Sequence, residues 1–389
     1  MIIKELQEVI DSDYYLNEVL ELNDYIARNP ELSGEEYNSS KAMAELLKYR
    51  GLEVFYPYSS LDTSFKATIY GKNRNGPKVC IMTEYDALPD IGHGCGHSAS
   101  GSISILAGLI VNDLKEYFEG QVDILGTPDE EVMGGKIKLA QSGVFDGYDY
   151  AIMMHMGNIS APNSRFLALK GLQIEFYGKT SHASASPWEG KNALNAMQLF
   201  FHSLDMMRQH VKPDIRIHGV IKEGGKAPNV VPDYTRAELY IRGSELSYLK
   251  EIEDWVNDCA KGAALSSRTV EKVSKLCPDL KDIAPNKSAE DMLTSKFEQY
   301  GIKVDRFYEP MGSSDIGEVD YICPAFHPLM CVNEKMSLHT KEFAEEMITE
   351  NAHNAIKFGG RIIASFVMET LLDNELLCNI KKEYNRYRK

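Results

Sequence analysis

Cys95 and His97, two residues able to hold one ion, are separated by a single glycine in the run His93-Gly-Cys95-Gly-His97. A thiolate and an imidazole so placed can turn toward a common cation if the residue between them tolerates a tight backbone, and Gly96 does. Alone, the pair reads as a buried thiol beside a histidine. A second signal is Thr127-Pro-Asp-Glu130-Glu131, where two adjacent carboxylates follow the strand-like run Val122–Gly126. One carboxylate can ligate an ion while its neighbour stays free as a proton shuttle; without companions, the pair would be an acidic helix start. A third strand-like run, Tyr148–Met154, leads into His155, and Ser337-Leu-His339-Thr340 offers another imidazole ahead of a predicted helix over Lys341–Phe358. Cys95, His97, Glu131, His155 and His339 together suffice for two ions that share ligands and a water. Open α/β sheets place their sites at the carboxyl ends of strands, and three of these segments are such ends.

The elements that must position these residues alternate in type. Residues 4–28 read as a helix, and a second runs from a cap at Ser33 to Gly51. Strands are expected at Lys66–Tyr70 and Val79–Thr83, a helix from Ser98 to Phe118, then the strands at Val122–Gly126 and Tyr148–Met154. This alternation predicts an α/β catalytic domain built on a mainly parallel sheet with helices on both faces. From residue 166 the pattern changes to strand, long helix at Asn192–His210, strands at Ile215–Lys222 and Tyr234–Ile241, and a helix at Leu246–Leu265. That order suggests a smaller α+β dimerisation (lid) domain inserted into the first. The expected boundaries are 1–166 and 278–389 for the catalytic domain and 167–277 for the insertion.

The chain has 389 residues and a net charge of -15, with 43% hydrophobic and 25% charged residues. These values describe an ordinary globular chain of more than one domain. The negative charge argues against nucleic acid and anionic membranes as partners, because both would repel it. Seven cysteines at wide, irregular spacing do not form a disulfide framework, and the start of the chain carries no basic-then-apolar leader. A cytoplasmic location is therefore expected.

Several segments, in order, resemble one metallopeptidase and amidohydrolase family, that of aminoacylase, carboxypeptidase G and hippurate hydrolase. They are Asn29-Pro-Glu-Leu-Ser33, Glu84-Tyr-Asp86-Ala-Leu-Pro89, Gly92-His-Gly-Cys-Gly-His97, Gly178-Lys-Thr-Ser-His182-Ala, Pro228-Asn229-Val-Val-Pro232 and Gly312-Ser313-Ser-Asp315. The second and third are similar to the branch with aminobenzoyl-glutamate hydrolase and the beta-alanyl dipeptidase-like amidohydrolases. The resemblance implies metal binding by Cys95, His97, Glu131, His155 and His339, with Glu130 as general base and Asp86 orienting a ligand. It implies that His182 reaches the active site of the partner subunit to steady the oxyanion, and that Asn229 contacts substrate. Both features imply a homodimer made through the inserted domain. Gly312 and Ser313 are candidates to meet a substrate carboxylate with backbone amides. The role of Glu84 stays open, since relatives with histidine at that position use it as a ligand. Ser98 departs from the Asp or Asn usual after this histidine.

The expected reaction is hydrolysis of a small amide bearing a carboxylate: an N-acyl amino acid, an aminobenzoyl-glutamate-like conjugate or a dipeptide. Two divalent ions are implied, zinc or manganese, with cobalt or nickel also compatible with a mixed donor set. Two rivals remain. One is a non-catalytic metal-binding dimer of the same fold, which the retention of Glu130 and all five donors disfavours. The other makes Cys95 a nucleophile, but a one-residue gap to His97 suits a shared ion better than a nucleophile–base pair.

Overall fold

The computed structural model describes residues 4–305 and 312–388. It divides into two compact units, the first holding residues 4–165, 283–305 and 314–388, the second 166–282 with Gly312 and Ser313. The second unit thus extends to Asp282 rather than to the expected Cys277. The extension is held from within that unit: Leu280 bridges Leu169, and Lys170 pairs with Asp279 at 2.8 Å.

The first unit is built on a six-stranded sheet in the order Glu53–Phe55, Lys66–Tyr70, Gln121–Gly126, Lys78–Thr83, Tyr150–Ile152, Ala325–Phe326. The last four run parallel, with Val79 opposite both Val122 and Tyr150, and Ala325 opposite Ala151. The first two strands are antiparallel additions at one edge. The central strands are buried along nearly their whole length, as strands covered on both sides must be. The helix His97–Asp113 is buried all the way from His97 to Val111, which its Ser, Ala, Gly and Ile content permits. It packs against the helix Glu350–Leu372 in the main hydrophobic core.

Three expected elements differ. Residues 4–28 form two helices, Lys4–Ile10 and Leu16–Arg28, because the Asp11-Ser12-Asp13 turn interrupts them. The helix expected to start at Ser33 begins at Tyr37, and the Ser33 hydroxyl donates to Asp86 at 2.7 Å instead of capping it. The helix expected over Lys341–Phe358 is broken after Glu346 and resumes at Glu350.

In the second unit four antiparallel strands follow the order Val270–Lys275, Ala168–Tyr177, Tyr234–Gly243, Arg216–Glu223. The strand Val270–Lys275 was not anticipated, because its polar sequence Val-Glu-Lys-Val-Ser-Lys has no apolar face. Along Tyr234–Gly243 the residues Thr235, Ala237, Leu239 and Ile241 are buried in strict alternation, marking the sheet face that helices cover. The helix Ala193–Met207 supplies Ala196, Met197, Phe200, Leu204 and Met207 to that core. Its start is fixed by Asn192, whose side chain accepts hydrogen bonds from the amides of Leu194 and Asn195.

Candidate metal centre

Four parallel strands of the first unit each end in residues of the candidate centre. Thr83 is followed by Glu84 and Asp86, Gly126 by Glu130 and Glu131, and Ile152 by His155. Phe326, the end of the fourth, is followed by His327, which sequence reading left unassigned. The parallel register puts these ends side by side, so segments remote in the chain converge.

The loop before the helix His97–Asp113 brings in Cys95 and His97. Gly96 has φ 81, and a Cβ there would lie 2.5 Å from Met156 Cβ. Only glycine allows both the left-handed backbone and this close approach to the residue after His155. His339 arrives from downstream with φ 63; its amide donates to the Gly94 carbonyl at 2.8 Å, setting its Nε2 3.0 Å from Cys95 Sγ.

These placements gather all five expected donors. Cys95, His97 and His155 offer ligand atoms within 4.8 Å of one another, and so do Cys95, Glu131 and His339. His97 and Glu131 also group with Glu130 on the same criterion of distance, 4.8 Å. Cys95 belongs to both donor sets.

The surroundings orient these donors. His97 Nδ1 lies 2.9 Å from Asp86 Oδ1, while Asp86 Oδ2 accepts from the Ser33 hydroxyl and from the Glu131 amide at 3.0 Å. One carboxylate therefore braces an imidazole donor and the loop of a carboxylate donor. His155 Nδ1 sits 2.6 Å from the Met156 carbonyl oxygen. The His327 ring stacks behind His155, centroids 5.1 Å apart, with its own Nδ1 2.7 Å from the Ser164 hydroxyl.

The donor set fits divalent ions. With both Nδ1 atoms engaged, the Nε2 atoms of His97 and His155 face each other at 3.2 Å, and a positive species must lie between them, either a proton or a cation. Burial pushes the His97 pKa down, but the Asp86 and Glu84 carboxylates outweigh it and hold it well above the usual histidine range. Burial, aided by His97, pushes the His155 pKa down to about 4. Glu131 Oε1 is buried without a hydrogen-bond partner, as a ligand oxygen awaiting a cation would be. Burial raises the Cys95 thiol, and a bound cation reverses such a shift.

Behind the donors lies a group that sequence reading missed. Lys136, fully buried, pairs through Nζ with Glu84 Oε1 at 2.5 Å and Asp315 Oδ1 at 2.6 Å. Burial pushes the Glu84 carboxyl up, yet the Lys136 ammonium and His97 bring it down to about 2. Burial raises Glu130, and the Glu84 and Asp315 charges raise it further. The readable sign of this group was Gly134-Gly135-Lys136 just beyond Glu131, a glycine pair no surface helix start needs.

Of the remaining expected residues, His182, Asn229, Gly312 and Ser313 all lie in the second unit. His182 and Val230 form an isolated bridge, and the Ala183 amide donates to the Asn229 carbonyl at 3.0 Å, so His182 and Asn229 are neighbours. Neither is buried. The amides of Ser184 and Ala185 point at His182 Nδ1 at 3.3 and 3.2 Å, which makes Nδ1 the acceptor and places the ring proton on Nε2. The Gly312 carbonyl accepts from the Leu167 amide, and the Ser313 hydroxyl accepts from Arg242 at 3.1 Å.

Comparison with known proteins identifies the family and the fold. A family model described as a peptidase dimerisation domain matches residues 168–267. The Xaa-Arg dipeptidase of Mus musculus is 31% identical over 373 residues, covering 91% of this chain and 86% of that one. The chain belongs to the M20 peptidase family. A p-aminobenzoyl-glutamate hydrolase chain of Escherichia coli is 30% identical over 304 residues, 72% of this chain and 62% of its own. The crystal structure of a dinuclear metal-binding M20 peptidase from Bacillus subtilis shares the fold, with a TM-score of 0.72 at 18% identity over 92% of this M20 chain and 100% of the other. Among the described residues no helix is long and apolar enough to cross a membrane.

Proposed function

We propose that this M20 chain hydrolyses the amide bond of a small carboxylate-bearing substrate, with Xaa-Arg and related dipeptides foremost and N-acyl amino acids or aminobenzoyl-glutamate conjugates as further candidates. The observation that carries this reading is the convergence of five donors in one unit, two of which, His97 and Glu131, group with Glu130. Cys95, Glu131 and His339 would hold one ion, and Cys95, His97 and His155 the other, with zinc or manganese suiting the mixed donor set and cobalt or nickel compatible with it. Bound divalent ions lower the pKa of a water toward neutrality and polarise a carbonyl.

Glu130 is the general base in this reading. It stands beside Glu131 without an assigned ion of its own, and its raised proton affinity suits a group that takes a proton from the attacking water and returns it to the leaving amine. Asp86 fixes the tautomer of His97 and the position of the Glu131 loop. His182 keeps its proton on Nε2, so it can donate to the oxyanion of a neighbouring subunit. Asn229, beside it, would contact the same substrate, and Gly312 and Ser313 are candidates for its carboxylate.

The homodimer would form through the second unit. Among the described residues its outer strand Arg216–Glu223 has one edge without a partner strand and exposes Val220 and Ile221, and the helix Ala193–Met207 exposes Leu199 and Met206. The proposed location is the cytoplasm.

The test is release of free amino acid from a panel of Xaa-Arg dipeptides, N-acyl amino acids and aminobenzoyl-glutamate, using the full chain loaded with zinc or manganese. Turnover abolished by chelator and restored by metal is expected. A metal-loaded dimer that cleaves none of them would make the chain a binding protein and end this reading.

A further inference from the structure

One cluster of the centre lies outside the five-donor set. Glu84, Glu130 and Asp315 bring carboxylate oxygens within 4.8 Å of one another, in addition to the donors already described. Three such groups repel one another strongly in surroundings this poor in water. Asp315 is gripped twice by one residue, accepting from the Lys136 amide at 2.9 Å and from its ammonium at 2.6 Å. The same ammonium bonds Glu84 Oε1. Fully buried lysines are rare unless paired, and this one is 0% exposed.

The local backbone is shaped to deliver that ammonium. Gly134 has φ 70, and a Cβ on Gly135 would fall 1.8 Å from the Pro128 carbonyl oxygen. The Gly135 amide donates to the Asp129 carbonyl at 2.9 Å. The chain after Glu131 therefore folds back beneath the residues that precede Glu130, which no residue with a side chain could do at 135.

We propose that Lys136 is a positioning residue whose ammonium serves as a permanent, protein-supplied cation within the Glu84–Glu130–Asp315 cluster, pinning two of the carboxylates and leaving Glu130 alone unpinned. The cluster would otherwise be a third place for a divalent ion to lodge, and an ion there would capture Glu130 as a ligand. The lysine fills that place with a charge that cannot exchange. This inference rests on the reading of Glu130 as general base only for its kinetic consequence.

The experiment counts ions and turnover in the full chain. With Lys136→Ala, which empties the space, elemental analysis after metal titration should find one more divalent ion per chain than in the wild type. Lys136→Met, which keeps the stem without the charge, should bind no extra ion. Both variants should lose roughly 100-fold in kcat with KM nearly unchanged, and ethylammonium should restore turnover to Lys136→Ala saturably. An ion count for Lys136→Ala equal to the wild type, or wild-type kcat in Lys136→Met, overturns the proposal. A wild type that hydrolyses nothing would defeat the functional reading and leave the ion count as the test of this one. Should the single variants not fold, the charge-balanced triple Glu84→Gln, Asp315→Asn, Lys136→Met decides: folding with no extra ion supports charge balance as the role, and failure to fold overturns it.

Discussion

The two units hold their polar residues in contrasting ways. In the first, His97 is fully buried, braced at Nδ1 by Asp86 and faced at Nε2 by His155, which in turn rests on His327. Four strand ends of a buried sheet set these positions. In the second, His182 and Asn229 are open to solvent, His182 bridges Val230 while the Asn229 carbonyl accepts from the Ala183 amide, and His182 is oriented by amides of its own loop. Ion ligands must be prepositioned within a fraction of an ångström, which demands rigid elements and a supporting layer of hydrogen bonds. A hydrogen-bond donor that acts on arrival of substrate tolerates a loop, since loops carry such residues out to a partner surface.

The comparison can be broken at several points. The largest expected effect is that of Glu130→Gln in the first unit, which should keep its metal content and lose about 1,000-fold in kcat. Turnover near wild type in a metal-replete sample would remove Glu130 from its role. His182→Ala in the second unit should cost about 100-fold in kcat while metal content and oligomeric state, measured by elemental analysis and light scattering, stay as in the wild type. If it lost metal as well, the division of labour between the units would be wrong. Asp86→Ala should weaken metal binding by roughly 10- to 100-fold, seen in competition with a chromophoric chelator, and unchanged affinity would show that the brace on His97 is dispensable. The smallest effect belongs to Asn192→Ala, which removes the cap of the helix Ala193–Met207 and should lower stability by about 1 kcal/mol in denaturant titration without altering metal content.

Much of the candidate metal centre was readable before the fold was known, because its chemistry is written in residue type. Cys95-Gly-His97, Glu130-Glu131 and His155 after an apolar strand each had a bland reading alone; their convergence made them candidate ligands, and the family resemblance implied Glu130 as base. Lys136 was passed over, since a lysine at a helix start is ordinarily a solvated charge and only the preceding Gly134-Gly135 pair hinted otherwise. His327 was not readable, because the strand Ala325–Phe326 is only two residues long and leaves almost no periodic signal. The strand Val270–Lys275 escaped for a related reason: it lies at a sheet edge with one partner and needs no apolar face.

The amino-acid sequence by itself determined the donor types, their order along the chain and the change from an α/β to an α+β pattern near residue 166. Local patterning carries such information, because side-chain period and glycine placement act over a few residues. Tertiary structure alone decided that His339 meets Cys95 across 244 positions of chain. It alone decided too that an ammonium sits among Glu84, Glu130 and Asp315. Contacts of that kind depend on sheet register and on which charges burial forces together, and neither quantity is local.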